Sequence, residues 1–289
     1  MQKVMITGIA GGFGKPTALA LLEKGYQVAG SVRSRDGKSA DTVAALEAAG
    51  AFIVELDVTD TAGTERGIAD AIAHLGGLDV LFNNAGIGCY GIQELMSPEE
   101  MALVFDVNVM GVQRVMRAAL PHMRSQGRGT VLYTSSLIGR ITTPFYGTYS
   151  ASKWALEAVV ECYRTELSGF GIESCIIEPG AMPTAFFDGM VAPGDPDREA
   201  QYGEFAAVPA MVAAGLAEML EATPNQRPER IAEAVIVLLE TPFGQKPFRT
   251  VVDHVGVGPQ IEHYNNVLHD VTRNVMISFG IDDMLKLNA

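Results

Sequence analysis

A tyrosine and a lysine four residues apart could form a proton-transfer site. Tyr149 and Lys153 stand at the two ends of the segment Tyr-Ser-Ala-Ser-Lys. If this segment is helical, the two side chains share one face and lie one turn apart. A free tyrosine has a pKa of about 10, too high for a base at neutral pH, and a nearby cation lowers that pKa. The pair could therefore exchange a proton with a substrate hydroxyl or carbonyl oxygen.

Two serines upstream could hold that substrate oxygen. Ser135 and Ser136 follow the run Val-Leu-Tyr-Thr at residues 131–134, which has the composition of a buried strand. A hydroxyl at the end of a strand can donate a hydrogen bond as negative charge develops on a carbonyl oxygen. On residue type alone, either serine fits this role.

A glycine-rich turn near residue 10 could bind a phosphate. Residues 7–14 read Thr-Gly-Ile-Ala-Gly-Gly-Phe-Gly, between a strand-like run and a helical pattern. Glycines let the backbone turn tightly and approach a pyrophosphate, and a helix N-terminus offers unpaired N–H groups and a positive dipole end. The strand–turn–helix context makes this a stronger signal than glycines alone.

These groups must be positioned by strands that alternate with helices. We predict strands near residues 4–7, 26–32, 51–56, 78–82, 130–134, 173–177 and 249–252. The alternation predicts an α/β fold, a Rossmann-like doubly wound parallel sheet of about seven strands with helices on both faces. Such sheets bind ligands beyond the carboxyl ends of their strands, where the motifs above fall.

No linker rich in Ser, Gly or Pro divides the chain. Residues 1–289 are therefore predicted to form a single dinucleotide-binding catalytic domain. Two regions depart from the simple alternation. We interpret them as additions to the domain: a substrate loop at about residues 184–226 and a C-terminal extension at about residues 255–289.

Several motifs occur together in a fixed order. After Gly8-x-x-x-Gly12-x-Gly14 come Asn83-Asn84-Ala85-Gly86 behind the fourth strand, Asn108 in the next helix, Ser136 thirteen residues before Tyr149, and Pro179-Gly180 behind the sixth strand. This set resembles the short-chain dehydrogenase/reductase family, in its short, single-domain type. The resemblance is close over about residues 4–184 and loose beyond.

The resemblance implies an enzyme that interconverts a ketone or aldehyde and the corresponding alcohol by hydride transfer. Its catalytic residues would be Asn108, Ser136, Tyr149 and Lys153. Tyr149 would act as general acid and base, Lys153 would also bind the nicotinamide ribose, and Asn108 would hold a water that relays protons to the lysine. Asparagine is a poor helix former, and a buried structural amide is the alternative interpretation of Asn108.

The resemblance also assigns a set of cofactor-binding residues: Gly8, Gly12, Phe13, Gly14, Arg33, Ser34, Asp57, Val58, Asn84, Ala85, Gly86, Tyr149, Lys153, Pro179, Gly180 and Thr184. An acidic residue after the second strand binds the ribose 2′-hydroxyl of NAD, and an arginine accommodates the 2′-phosphate of NADP. Val32 stands where the acid usually falls, and Arg33 follows it. We therefore predict that NADP(H) is preferred over NAD(H), although Arg33 and Arg35 as solvated loop charges remain the alternative.

Composition limits the possible partners. The net charge of −13 disfavours nucleic acid and anionic membranes. No apolar run reaches the ~20 residues needed to span a bilayer, and the three cysteines and five histidines lack metal-site spacing. We expect a cytoplasmic protein with no metal, no nucleic acid and no membrane partner, acting on a small-molecule carbonyl or alcohol. The resemblance implies a homodimer or homotetramer.

The substrate is the least defined part of the prediction. Apolar and aromatic residues are frequent on two segments that could face each other: Cys89, Tyr90, Ile138, Ile141, Phe145 and Tyr146 on one, and Phe186, Phe187, Met190, Val191, Tyr202, Phe205 and Met211 on the other. They favour an apolar pocket for a moderately large substrate, with ordinary core packing as the alternative. Two other functions stay open: a non-catalytic NADP-binding regulator, and an epimerase or dehydratase on the same fold.

Overall fold

This computed structural model describes residues 2–287. Within them, seven parallel strands form one sheet: β1 (Lys3–Ile6), β2 (Gln27–Val32), β3 (Phe52–Glu55), β4 (Val80–Asn83), β5 (Gly129–Thr134), β6 (Ile172–Pro179) and β7 (Arg249–Val252). Their order in the sheet is β3-β2-β1-β4-β5-β6-β7. Strands β2 and β3 lie on one side of β1, and β4 to β7 lie on the other. The connections therefore run in opposite directions from β1 and from β4, which leaves a crevice at the carboxyl ends of these two strands. The predicted α/β fold is confirmed.

Helices cover both faces of the sheet. They are α1 (Gly14–Glu23), α2 (Ala40–Ala48), α3 (Thr61–Leu75), α4 (Pro98–Phe105), α5 (Gly111–Gln126), α6 (Gly147–Glu166), α7 (Pro196–Glu199), α8 (Val208–Glu221), α9 (Glu229–Glu240) and α10 (Gly258–Phe279). Alternate residues of β1 separate the two cores: Val4 and Ile6 pack with α1, α2 and α9, and Met5 packs with α3, α5 and α6. Because successive side chains point to opposite faces, both faces of β1 are packed against helices. This packing fixes the strand ends that lie beneath the site.

The long helical segment that follows β4 and contains Asn108 is interrupted. It begins at a capping box in which Ser97 Oγ accepts from Glu100 N–H and Glu100 accepts from Ser97 N–H. Between α4 and α5, residues Asp106–Met110 form a π-helical turn. Asn108 lies in this turn, which explains why a poor helix former stands in the middle of a long helical pattern.

The substrate loop contains an exposed apolar helical stretch. By length and composition alone, the helix Pro196–Glu221 could cross a membrane, and no residue of its most apolar part is buried. Glu204 and Glu218 bound its longest apolar run, so that run stays shorter than the ~20 residues needed to span a bilayer. At Gly203 the backbone leaves helical geometry, with φ 55° and ψ −129°, so the stretch is kinked and not a straight rod.

The C-terminal extension is mainly α10, followed by a short 3₁₀ helix at Asp282–Leu285. Residues 1, 288 and 289, which belong to the predicted domain and extension, lie outside the described part. The division into one domain stays a prediction.

Candidate active site

The proposed proton-transfer pair lies in the first two turns of α6. Tyr149 and Lys153 are 8% and 5% exposed, so both are shielded from water. Lys153 Nζ donates to the Thr134 carbonyl oxygen at 2.8 Å and lies 5.7 Å from the centroid of the Tyr149 ring. The Ser136 side chain lies close enough to the Tyr149 phenol to lower its pKa. The end of β5 and the start of α6 therefore bring the three predicted catalytic groups together.

Burial controls the protonation of this pair. It raises the pKa of Tyr149 far above its ordinary value, and the nearby Ser136 side chain opposes that rise. Burial also lowers the pKa of Lys153 to about 8, and the negative charge of Glu157 opposes this. The net pKa of Tyr149 lies above that of a free tyrosine and not below it, because the cost of burying the phenolate exceeds any stabilisation by the charge of Lys153. Tyr149 is held as a neutral phenol, the form that a general acid requires.

Asn108 is a buried amide with its hydrogen-bonding groups in use. Its Oδ1 accepts from Ile87 N–H at 2.9 Å, and its Nδ2 donates to the Ile87 carbonyl at 2.9 Å and to Ser152 Oγ at 3.0 Å. A Cβ at Gly86 would lie 3.2 Å from Asn108 Oδ1 and 3.7 Å from Lys153 Nζ, so the three residues meet at one point. These contacts connect the segment after β4 to α6. A water molecule bound to the Asn108 amide would have to share the amide oxygen or nitrogen with these existing hydrogen bonds.

The glycine turn after β1 is shaped by close contacts that side chains would block. Gly8 has φ +66°, which favours glycine. A Cβ at Gly14 would lie 2.4 Å from the Gly8 carbonyl oxygen, and a Cβ at Gly12 would lie 2.6 Å from the Thr184 side chain. Phe13 is the N-cap residue of α1. The cradle, with the free N–H groups of a helix N-terminus, fits the pyrophosphate of a dinucleotide.

Replacing Gly14 with alanine is expected to weaken NADPH binding by about tenfold or more. The added methyl group must push the backbone of the turn away from the Gly8 carbonyl oxygen, 2.4 Å from its position. Fluorescence titration with NADPH measures the dissociation constant. Gly215→Ala is the matched control, because a Cβ there meets nothing within 4 Å. Equal NADPH binding by Gly14→Ala and Gly215→Ala would contradict a role for this turn in binding phosphate.

The two arginines after β2 differ in their contacts. Arg35 forms an ion pair with Glu47 and donates from Nη1 to the Ile53 carbonyl at 2.9 Å. Arg33 is exposed, and among residues 2–287 it makes neither an ion pair nor a side-chain hydrogen bond. Ser34 is exposed beside it. Of the two arginines, Arg33 is the one with a guanidinium group available for a ligand.

Asp57 and Val58 follow β3 beside this arginine. Asp57 Oδ1 accepts from the backbone N–H of Thr59 at 2.9 Å and from its hydroxyl at 2.7 Å. Burial raises the pKa of Asp57, but these bonds and the charges of Arg33 and Arg114 lower it below its ordinary value. The Val58 carbonyl accepts from Arg114 Nη1 at 3.1 Å. Both residues are thus held as a fixed rim at the carboxyl end of β3.

Asn84 and Ala85 fasten β4 to β1. Thr7 Oγ1 accepts from the backbone N–H groups of Asn84 and Ala85, each at 3.0 Å. Asn84 Nδ2 donates to the Thr7 and Gly8 carbonyls at 3.1 and 3.3 Å, and the Thr134 hydroxyl donates to Asn84 Oδ1 at 3.3 Å. The asparagine therefore connects three neighbouring strands at the crevice.

The loop after β6 is anchored by a residue that the sequence did not single out. Pro179 ends β6, and Gly180 N–H donates to the Val252 carbonyl at 2.9 Å. Gln226 is 1% exposed and donates from Nε2 to the Ala181 carbonyl at 2.7 Å. It comes 45 residues after Ala181, so no local pattern could have indicated this contact.

The substrate loop covers the phenol. Val191 N–H donates to the Gly88 carbonyl at 2.9 Å, and Tyr90 N–H donates to the Val191 carbonyl at 3.1 Å, which forms a short parallel bridge. The Phe186 and Tyr149 rings lie with centroids 5.7 Å apart. The two apolar segments predicted to face each other therefore do so, directly over the proposed acid.

Other predicted pocket residues divide between this cover and its outer surface. Cys89, Ile138, Tyr146, Phe186 and Val191 pack in one apolar cluster with Tyr149. Phe205 and Met211 are exposed. In the C-terminal extension His263 is exposed, and the Tyr264 ring lies 5.2 Å from the guanidinium carbon of Arg140. Tyr264 thus contacts the loop after β5 and not the phenol.

The chain is similar to known proteins of one family. A family model described as short chain dehydrogenase matches residues 2–192. The 3-ketodihydrosphingosine reductase of Bacteroides thetaiotaomicron is 36% identical over 187 residues, 65% of this chain and 66% of that relative. The NADPH-dependent 3-dehydrocapnine reductase of Ornithobacterium rhinotracheale is 31% identical over 216 residues, 71% of this chain and 74% of that relative. The crystal structure of a short-chain dehydrogenase from Streptomyces avermitilis has a TM-score of 0.76 and 31% identity, covering 98% of this chain and 99% of that one.

Proposed function

The chain belongs to the short-chain dehydrogenase/reductase family, and from this premise we propose that it is an NADP(H)-dependent carbonyl reductase for apolar ketones. The observation that carries the proposal is the meeting of Tyr149, Lys153 and Ser136 under an apolar cover. A neutral phenol in that position is ready to donate a proton to a carbonyl oxygen. The same residues would remove the proton in the reverse reaction.

The chain's own residues divide the work of proton transfer. Ser136 orients the substrate oxygen by a hydrogen bond, and Tyr149 donates its phenolic proton to that oxygen. Lys153, fixed to the Thr134 carbonyl, supplies positive charge beside the phenolate that remains. When bound in the cradle of Gly8, Gly12 and Gly14, a nicotinamide cofactor would supply the hydride. The Phe186 ring and its neighbours exclude water from the proton path.

The preference for NADP rests on Arg33. In the described chain its guanidinium has no partner, whereas Arg35 is occupied by Glu47. A guanidinium pairs well with a phosphate because it offers several donors in one plane. Support also comes from a relative whose name specifies NADPH dependence.

Replacing Arg33 with alanine is expected to raise the dissociation constant for NADPH by roughly 10- to 100-fold, as for the loss of a charged hydrogen bond. Binding of NADH should be unchanged, because NADH lacks the 2′-phosphate. Parallel titrations of both cofactors give the result, and NADH is the internal control. Equal affinity for NADPH and NADH in the unsubstituted chain would overturn the cofactor assignment.

The apolar cover and the names of two relatives support an apolar ketone as substrate. Phe186, Val191 and Tyr146 offer little polar recognition near Tyr149. The two relatives are named as reductases of 3-ketodihydrosphingosine and 3-dehydrocapnine. Their names also favour reduction as the direction of the reaction.

A panel of ketones with alkyl chains of increasing length, including 3-ketodihydrosphingosine, tests the proposal by NADPH oxidation at 340 nm. We expect kcat/KM to rise with chain length, because each buried methylene contributes about 0.8 kcal/mol. A matching panel of secondary alcohols with NADP tests the reverse direction. NADPH binding without turnover on any ketone would instead favour the regulator, and substrate conversion without net NADPH consumption would favour the epimerase.

A further inference from the structure

A stripe of side chains continues from the proposed catalytic pair into the protein interior. Tyr149, Lys153, Glu157 and Glu161 follow one another at four-residue spacing along α6, so they lie on one face of the helix. Glu157 is 1% exposed. A buried carboxylate is costly unless it is paired, and the proposed mechanism does not use this one.

Two arginines and a second glutamate, from three other elements, face Glu157. Arg249 of β7 donates from Nε to Glu157 Oε2 at 2.9 Å, and Nη1 of Arg140, in the loop after β5, lies 3.7 Å from the same oxygen. Glu178 of β6 has Oε1 3.4 Å from Arg249 Nε and 3.8 Å from Arg140 Nε. The four side chains are at most 7% exposed. We call Arg140, Glu157, Glu178 and Arg249 the buried cluster.

The C-terminal extension closes the buried cluster. Asn265 of α10 donates from Nδ2 to Glu178 Oε2 at 2.6 Å, and its Oδ1 accepts from Arg140 Nε at 2.9 Å. At the outer end, Glu161 accepts from Arg249 Nη2 at 2.6 Å. The cluster is thus assembled from five separate elements, and α10 contributes a polar side chain that is itself buried.

The two carboxyl groups of the buried cluster have different roles. Burial, together with the negative charge of Glu157, raises the pKa of Glu178 to about 8, although Asn265 and the arginines oppose the rise. Glu157 is the better paired of the two carboxyl groups, since Arg249 Nε lies 2.9 Å from its Oε2 and 3.4 Å from Glu178 Oε1. It stands one helical turn from Lys153.

Glu157 is the source of negative charge for the buried lysine. Other groups close to Lys153 are Tyr149 of the same helix, the Thr134 carbonyl of β5, and Gly86 and Gly139 of the loops after β4 and β5. Each of these is uncharged at neutral pH. Glu157 is also the charge that opposes the effect of burial on the lysine.

We propose that Glu157, held by Arg249 and Arg140, is a positioning residue whose carboxylate keeps the ammonium group of Lys153 charged inside the site. Through Asn265, the C-terminal extension completes the cluster that fixes this carboxylate. The inference rests on the proposed function for the use of Lys153 in turnover. The charge of the lysine itself can be measured without substrate or cofactor.

The direct test is the pH titration of Lys153 in the full chain, measured by the rate of acetylation with limiting acetic anhydride and peptide mass spectrometry. The unsubstituted chain should titrate at about 8. Glu157→Gln should lower this midpoint by about one pH unit, because a nearby opposite charge is lost. Glu166→Gln, the same change at an exposed position at the end of the same helix, is the control and should leave the midpoint in place. An unchanged midpoint in Glu157→Gln would overturn the proposal.

A second variant covers the case in which Glu157→Gln does not fold. Arg140→Gln removes a positive charge from the other side of the same carboxylate, so the Lys153 midpoint should rise. A midpoint that falls or stays in place would count against the cluster as the control of the lysine charge.

Turnover separates this inference from the proposed function. In the unsubstituted chain, kcat/KM for ketone reduction should fall as pH rises through about 8, and in Glu157→Gln it should fall at lower pH. If no ketone is reduced but the lysine midpoint still shifts in Glu157→Gln, the proposed function fails and the inference stands. If turnover occurs with the same alkaline limb in both proteins, the inference fails and the proposed function stands.

Discussion

Replacing Tyr149 with phenylalanine is expected to lower kcat for ketone reduction by roughly 10²–10⁴-fold, the usual contribution of a positioned general acid. The ring is buried and packs beside Phe186, so phenylalanine fills the same space and only the phenolic oxygen is lost. Burial holds this phenol protonated at neutral pH, which makes it the proton donor of the site. Steady-state kinetics with NADPH and the best ketone of the panel measure the loss.

The variant should still bind NADPH with an affinity close to that of the unsubstituted chain, because the glycine turn and Arg33 are untouched. Tyr146→Phe is a suitable control, since Tyr146 lies in the same apolar cluster and its ring packs on Tyr90 rather than on Lys153. Turnover of Tyr149→Phe within about threefold of the unsubstituted chain would exclude this residue as the general acid.

The second large effect is expected for Lys153→Met. Methionine has a similar length and no charge, so the variant loses the ammonium group and its 2.8 Å hydrogen bond to the Thr134 carbonyl. Without the cation, the phenolate of Tyr149 loses its electrostatic support, and kcat should fall by about 10²–10⁴-fold. NADPH binding should weaken as well, which distinguishes this variant from Tyr149→Phe.

Kinetics and fluorescence titration on the same preparation of Lys153→Met give both quantities, and circular dichroism verifies the fold. Lys38→Ala removes an exposed lysine after β2 and is the control for loss of one positive charge. Unchanged NADPH affinity together with a normal kcat in Lys153→Met would contradict the account of the pair.

The fold could be predicted from the sequence because its signals are local. Alternating strands and helices, glycines at the first turn and the capping box at Ser97 each act over a few residues. The predicted strands agree with the structure to within about two residues at most ends. The joint role of Ser136, Tyr149 and Lys153 was implied by the family resemblance that these residues carry.

What could not be predicted depends on burial and on contacts between distant residues. The expectation that Lys153 lowers the pKa of Tyr149 considered the charge and omitted the cost of desolvation, which depends on how the substrate loop covers the ring. The contact of Asn265 with Glu178 joins residues 87 positions apart, and that of Gln226 with Ala181 joins residues 45 apart. Contacts between residues so far apart leave no periodic pattern of residue types in the sequence. The residue type marked Asn108 as unusual in a helix, but nothing in the sequence indicated the π-helical turn.

The central claim is that this chain reduces a ketone with NADPH and that Tyr149 protonates the product oxygen. The most direct measurement uses NADPH carrying deuterium at both positions of C4 of the nicotinamide and the best ketone of the panel, with mass spectrometry of the alcohol. We expect one deuterium at the carbinol carbon for each NADPH consumed, and a rate lowered by roughly 10²–10⁴-fold in Tyr149→Phe. Alcohol without deuterium, or labelled alcohol formed equally fast by Tyr149→Phe, would contradict the account.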